Sequence, residues 1–214
     1  MILLVMGLPG TGKSTIAEYV AQNFDAEILT TDRIRKEKFK HTSLEKILKT
    51  KDPIRYDLQE IFDRQPEYQV TERFQRLIEE QRLMVYDELF DQLRKRVQKD
   101  KNVVLDGTFF KRALRERVYK IAKETQTSIY IINTECPEKV IARRLETRQT
   151  RPDNASYVDK MKIYEIVKQN FETPNENGVP LIIVNTDTSK ITRYNIDETD
   201  IQANQLIELL KNPR

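Results

Sequence analysis

Five short apolar runs punctuate an otherwise polar chain: residues 2–6 (ILLVM), 27–30 (EILT), 102–106 (NVVLD), 128–133 (SIYIIN) and 180–185 (PLIIVN). Runs of this length without polar alternation predict strands buried on both faces. Between them the apolar positions take up a helical period. Ile16, Ala17, Val20, Ala21 and Phe24 predict a helix over 13–23, and residues 33–39 read as another. Phe74, Ile78, Val85, Leu89, Leu93 and Val97 mark one long amphipathic helix over 71–99. Further helices are predicted at 111–124, from Pro137 onward, at 156–170 and at 200–211, the last with Thr199 and Gln202 as a capping box. Strands alternating with helices predict an α/β fold, a parallel sheet with helices on both faces. No linker interrupts the pattern, so residues 1–214 read as a single domain with a helical insertion at about 40–100. Within that insertion the stretch 40–70 is irregular, broken by Pro53 and Pro66.

Composition narrows the chemistry. Lys and Arg (37) against Asp and Glu (34) leave a net charge of +3, too small to imply nucleic acid and no bar to a local basic cleft. A single Cys, Cys136, excludes an internal disulfide framework, and a single His, His41, excludes multi-histidine metal sites. No apolar run has the length of a membrane span, and Met1–Met6 lacks the basic start of a signal peptide. The expectation is a cytoplasmic protein with no membrane partner. The glycines are more telling: of only five, Gly7, Gly10 and Gly12 lie within six residues.

Those glycines belong to Gly7-Leu-Pro-Gly-Thr-Gly-Lys13-Ser14, which satisfies G-x-x-x-x-G-K-[ST] at every fixed position. A buried strand precedes it and a helix follows, as the motif requires. The loop Gly7, Pro9, Gly10, Thr11 and Gly12 would turn backbone N–H groups around phosphates, aided by the positive helix start. Lys13 would reach the β- and γ-phosphates, Ser14 would ligate Mg²⁺ and Thr15 would donate to the α-phosphate.

Two carboxylates sit where the strands should open toward that loop. Asp106 ends the 102–106 strand and is placed to support Mg²⁺, with Thr108 two residues on. Asp32 follows the second strand in Thr30-Thr31-Asp32-Arg33-Ile34-Arg35. It is the candidate general base for an acceptor hydroxyl, with Arg35 one helical turn later to fix the acceptor. Capping of a helix starting at Arg33 is a second role open to Asp32. Arg143, Arg144, Arg148 and Arg151 form an arginine-dense segment, 143–155, suited to a lid that clamps a phosphoryl group. Arg144 and Arg148 share a face at i,i+4, and these two with Arg151 are the preferred members.

GLPGTGKST at 7–15, TTDRIR at 30–35, VVLDGTF at 103–109 and the arginines of 143–151 together resemble P-loop kinases of the polynucleotide kinase, zeta toxin and seryl-tRNA(Sec) kinase type. Domains of this kind are usually identified as AAA-type ATP-binding domains. The resemblance covers about residues 1–185. It implies an adenylate-kinase-like core of five parallel strands in the order 2-3-1-4-5, with ATP and Mg²⁺ as cofactors. It also implies that Asp32 and Arg35 correspond to a D-x-x-R base and acceptor-binding pair, Asp106 to the strand-3 aspartate and Arg148 and Arg151 to the lid.

The chain departs from the polynucleotide kinases after the D-x-T motif, where Phe109-Phe110 replace an expected Asn. That weakens a polynucleotide 5′-OH as acceptor and leaves a small metabolite open. The insertion, with Tyr56, Asp57 and Tyr68, is placed to shape the acceptor pocket. Tyr56, Tyr68 and Phe39 could stack on a base, though ordinary packing is the simpler role. The basic helix 111–124 reads either as an RNA track or as a solvated face interrupted by Glu116 and Glu124. The leading expectation is a kinase acting on a nucleoside triphosphate and a hydroxyl acceptor. An NTP-hydrolysing switch read by a partner, and an RNA-binding protein with a relic nucleotide site, are the rivals.

Overall fold

The computed structural model of the chain describes residues 1–59, 72–149, 161–176 and 178–211. Strand β1 (Ile2–Gly7) is buried along its whole length and lies inside a sheet of order β2-β3-β1-β4-β5-β6. It pairs in parallel with β3 (Asn102–Asp106) on one side and β4 (Ile129–Glu135) on the other. Beyond these lie β2 (Ala26–Thr30), parallel to β3, and β5 (Leu181–Asn185), parallel to β4. The five expected strands are present in the expected order. A sixth, β6 (Ile191–Tyr194), runs antiparallel to β5. Sequence patterning missed it because three of its four residues are exposed, leaving no apolar signal. Asn185 shapes the hairpin, its Oδ1 accepting from the amides of Asp187 and Thr188.

The strands are apolar throughout because both faces are covered. Leu3, Val5, Val104, Ile132 and Val184 pack under α1 (Lys13–Asn23) and α8 (Ile201–Leu210). Ile2, Leu4, Met6, Val103 and Leu105 pack under α4 (Glu72–Val97) and α5 (Arg112–Glu124). Between β2 and α4 lie α2 (Thr31–Lys38), α3 (Leu44–Lys49) and a 3₁₀ turn at Pro53–Arg55. Helix α6 (Glu138–Gln149) carries the first part of the expected lid segment 143–155 and α7 (Met161–Gln169) follows it, while 150–155, with Arg151, fall outside the described residues. Tyr68 and the rest of 60–71 fall outside as well.

Helix α4 serves two clusters. Val85, Tyr86, Leu89, Phe90, Leu93 and Val97 belong to the main core, while Ile78 packs with Ile47, Tyr56 and Leu58 of the insertion. Gln81, fully buried between them, holds the segment 54–58 to α4. Its Oε1 accepts from the amide of Leu58 at 3.1 Å, and its Nε2 donates to the carbonyls of Ile54 and Tyr56. Tyr56 and Phe39, candidates for base stacking, are buried packing residues.

Two local expectations are corrected, both of helix caps. The cap of α2 is Thr30, whose hydroxyl accepts from the Arg33 amide at 3.1 Å, so Asp32 sits in the first turn and does not cap. The cap of α8 is Asp200, which accepts from the Ala203 amide at 2.9 Å, while Thr199 turns to Asp197. The basic helix α5 is largely neutralised: Lys111 pairs with Glu172, Arg112 with Glu116, Arg117 with Asp87 and Lys120 with Glu124.

Arg115 is not on the surface at all. It is fully buried against Glu176 at 2.6 Å and donates to the carbonyls of Phe109 and Glu172 at 3.0 and 2.9 Å. It thus ties the loop after β3 to the segment after α7. Tyr119, beside the pair, has its hydroxyl pKa pushed up by burial and by Glu176. Arg115→Met is expected to cost about 3–5 kcal/mol, because it strands a buried carboxylate. Chemical denaturation measures this, and Arg115→Met with Glu176→Leu should recover most of the loss.

Candidate active site

The site lies at the carboxyl ends of the parallel strands. Register places Val5 beside Asp106, Asp106 beside Thr30 and Gly7 beside Thr134. Three strand ends therefore converge where the loop 7–14 leaves β1.

That loop turns on backbone only glycine tolerates. Gly12 has φ of +89°, and a Cβ on Gly7, at φ +142°, would stand 2.5 Å from the Thr134 carbonyl oxygen. The loop is bracketed from behind. Thr11 is buried, donates from Oγ1 to the Leu8 carbonyl at 2.7 Å and meets the Thr134 hydroxyl at 2.7 Å. Its amide also donates to Leu8, so Thr11 shapes the loop from within. Thr186, after β5, donates to the Thr11 carbonyl at 2.7 Å. Arg144 on α6 donates to Thr186 at 2.8 Å and reaches the Gly10 carbonyl at 3.4 Å. Thr134 and Thr186 were not singled out from the sequence, since a lone threonine after an apolar run carries no motif.

A cleft of about 420 Å³ opens in front of the loop. Pro9, Lys13, Ser14, Asp32, Arg35 and Asp106 all line it, as does Thr108. Lys13 Nζ donates to the Leu8 carbonyl at 3.0 Å, within the loop's curl. Thr15, exposed in the first turn of α1, does not line the cleft. Arg143 is exposed, and the side chain of Arg148 lies outside the described residues.

Asp106 is 7% exposed. Burial raises its carboxyl pKa, opposed by the charge of Lys13 and a hydrogen bond with Ser14. A buried carboxylate touching a hydroxyl, next to a lysine, has the chemistry of a divalent-cation site. Mg²⁺ keeps waters and takes phosphate oxygens alongside one or two protein oxygens. Ser14 and Asp106 fit that donor set.

Asp32 is held by Arg35, whose Nη2 stands 3.2 Å from its Oδ1. Arg35 Nε lies 3.2 Å from Asp57, a buried carboxylate of the insertion. Asp57 thus fixes Arg35, a contact that spacing alone could not reveal. Sequence reasoning also passed over Arg82, Tyr86 and Gln59, which line the far end. The Tyr86 hydroxyl is pushed up to about 12 by burial, against a hydrogen bond from the Phe109 amide.

A phosphate loop after a central strand, a carboxylate ending the neighbouring strand and a 2-3-1-4-5 parallel order define a P-loop NTPase of kinase-type architecture. The AAA domain family matches residues 2–174, and the chain belongs to it. Solved structures with the same fold include a sugar kinase from Janibacter sp. HTCC2649 (18% identity, TM-score 0.55, covering 97% of this chain and 90% of that one). A putative kinase from Chloroflexus aurantiacus J-10-fl aligns over 98% of this chain and 96% of that one at 16% identity, TM-score 0.58. The APS kinase of Mycobacterium tuberculosis, in complex with AMPPNP and APS, aligns over 99% and 97% at 15% identity, TM-score 0.52. No curated protein matches the sequence.

Asp106→Asn removes a charge whose burial opposes folding, so the free protein should melt no lower than wild type. The same variant should lose the Mg²⁺-dependent rise in Tm that ATP gives. Thermal melts with and without Mg²⁺ and ATP check both halves.

Proposed function

We propose that the protein is an ATP- and Mg²⁺-dependent kinase that phosphorylates a hydroxyl group of a small molecule. The observation that carries this reading is Asp32: a carboxylate in the same cleft as Lys13, Ser14 and Asp106, oriented by Arg35. A nucleotide switch needs no base on the acceptor side.

Phosphates enter the curl of 7–14, where backbone N–H groups and the start of α1 favour anions. Lys13 turns from Leu8 to the β- and γ-oxygens, and Arg144 steadies the loop. Bound between Ser14 and Asp106, Mg²⁺ would neutralise charge on the phosphate oxygens. Asp32 takes the proton of the acceptor hydroxyl as its oxygen bonds to the γ-phosphorus, and the bond to the β-phosphate oxygen breaks to leave ADP. Arg35 holds Asp32 and balances the incoming charge. Arg148 and Arg151 would close over the transferring group from the lid.

Two features favour a small acceptor over RNA. The cleft is about 420 Å³, room for a metabolite beside the γ-phosphate. Most of the 111–124 cations that would track a nucleic acid, Lys111, Arg112, Arg117 and Lys120, are paired with carboxylates, and Arg115 is buried. A cytoplasmic location accords with this chemistry, and no described helix is long and apolar enough to cross a membrane.

Asp32→Asn should lower kcat about 10²- to 10⁴-fold, the usual worth of a positioned base, with ATP affinity nearly unchanged. Transfer of labelled γ-phosphate to pooled hydroxyl metabolites and to a 5′-hydroxyl RNA, with Lys13→Ala as blank, tests the reading. A parallel loss of ATP affinity would count against Asp32 as base, and label on the RNA would reject the small acceptor.

A further inference from the structure

The acceptor end of the cleft has a charge pattern that phosphoryl transfer alone does not require. Arg33, Arg35 and Arg82 all line it. Their carboxylate partners are Glu37 for Arg33, Asp32 and Asp57 for Arg35, and Glu79 for Arg82. Of these four carboxylates only Asp32 lines the cleft. The lining also holds Lys13, Glu18 and Asp106, but Glu79, the counter-charge of Arg82, stands outside it.

Arg82 is the member placed to meet a ligand. It projects from α4 one turn before Tyr86, so both side chains share the cleft face. Its Nη2 donates to Gln59 Oε1 at 3.1 Å, and its guanidinium lies over the Phe110 ring, 5.3 Å from the centroid. The group is thereby held between Gln59 and the loop after β3. Val85, Phe110, Ile163 and Val167 line the same cleft, and apolar lining strengthens an ion pair formed in it. Asp32, Arg82 and Tyr86 line the same cleft, so cation and base share it. Glu79 is 57% exposed, and a surface pair of this kind is worth little. Exchanging it for a ligand oxyanion, bound in fork geometry, loses little.

Resting on the kinase reading above, we infer that the acceptor is a small hydroxyl compound that already carries an oxyanion, a carboxylate or a phosphomonoester. Arg82 binds that group and sets the reacting hydroxyl at Asp32. A neutral sugar or polyol leaves Arg82 without its ligand.

Two measurements test this separately from the kinase reading. In the first, inorganic phosphate and acetate are titrated in turn into protein saturated with Mg²⁺ and AMPPNP, which fills the phosphate loop. Saturable binding of at least one is expected, weakened about tenfold or more in Arg82→Ala and partly restored in Arg82→Lys. Which of the two binds separates phosphomonoester from carboxylate. Absence of binding by both, or equal binding in wild type and Arg82→Ala, overturns the inference. In the second, γ-phosphate transfer is compared within matched sets: glucose, gluconate and glucose 6-phosphate; glycerol, glycerate and glycerol 3-phosphate. Preference for a charged member, with its KM raised in Arg82→Ala and the KM for ATP unmoved, supports the inference. Preference for the neutral members overturns it while leaving the kinase intact. Anion binding that depends on Arg82, without transfer to any hydroxyl, sinks the kinase reading and leaves the oxyanion site standing.

Discussion

The structure depends first on a backbone turn that must be held open. The loop after β1 curls through positive φ at Gly7, Gly10 and Gly12, positions with no side chains to stabilise the turn. Its support comes from three threonines and an arginine behind it. Thr11 and Thr134 join the loop to β4, Thr186 joins it to the end of β5, and Arg144 closes the bracket from α6. Each contact links segments more than 40 residues apart in the chain. The bracket therefore exists only once the sheet has assembled, and the phosphate site is a product of the whole β1-β4-β5 arrangement.

The second constraint is the management of charge in a partly dry cleft. Asp106 is buried at an energetic cost that Lys13 and Ser14 only partly offset, which leaves a standing demand for positive charge at that point. Across the cleft Arg35 stands between Asp32 and Asp57, and the latter arrives on a segment anchored by buried Gln81. The insertion is thus wired to the chemistry through one carboxylate. A second buried pair, Arg115 with Glu176, performs the equivalent service for the loop carrying Thr108 and Phe109.

Much of this was legible in the residues alone. Strands β1 to β5 declare themselves because strands covered on both faces must be continuously apolar. The phosphate loop declares itself because only glycine, lysine and a hydroxyl residue at fixed spacing can do that work. Asp32, Arg35 and Asp106 follow from knowing which strand ends open toward the loop. β6 stayed hidden because an edge strand with one partly buried residue has no periodic signature. Gln81, Arg115 and Glu176 stayed hidden for a related reason: in sequence they look like residues of solvated faces and a polar turn.

The sheet, the helical layers and the phosphate loop are written in local periodicity and local sterics. Which charges pair with one another, and which line the cleft, is settled by the packing of distant segments. Arg112 and Arg115 lie three residues apart on one helix, yet one is a surface cation paired with Glu116 and the other a buried staple. Arg35 and Arg82 lie far apart in the chain, yet they line one cavity. Pairing and burial are set by which distant segments meet, and the free energy of a charge depends on that meeting far more than on its neighbours in sequence.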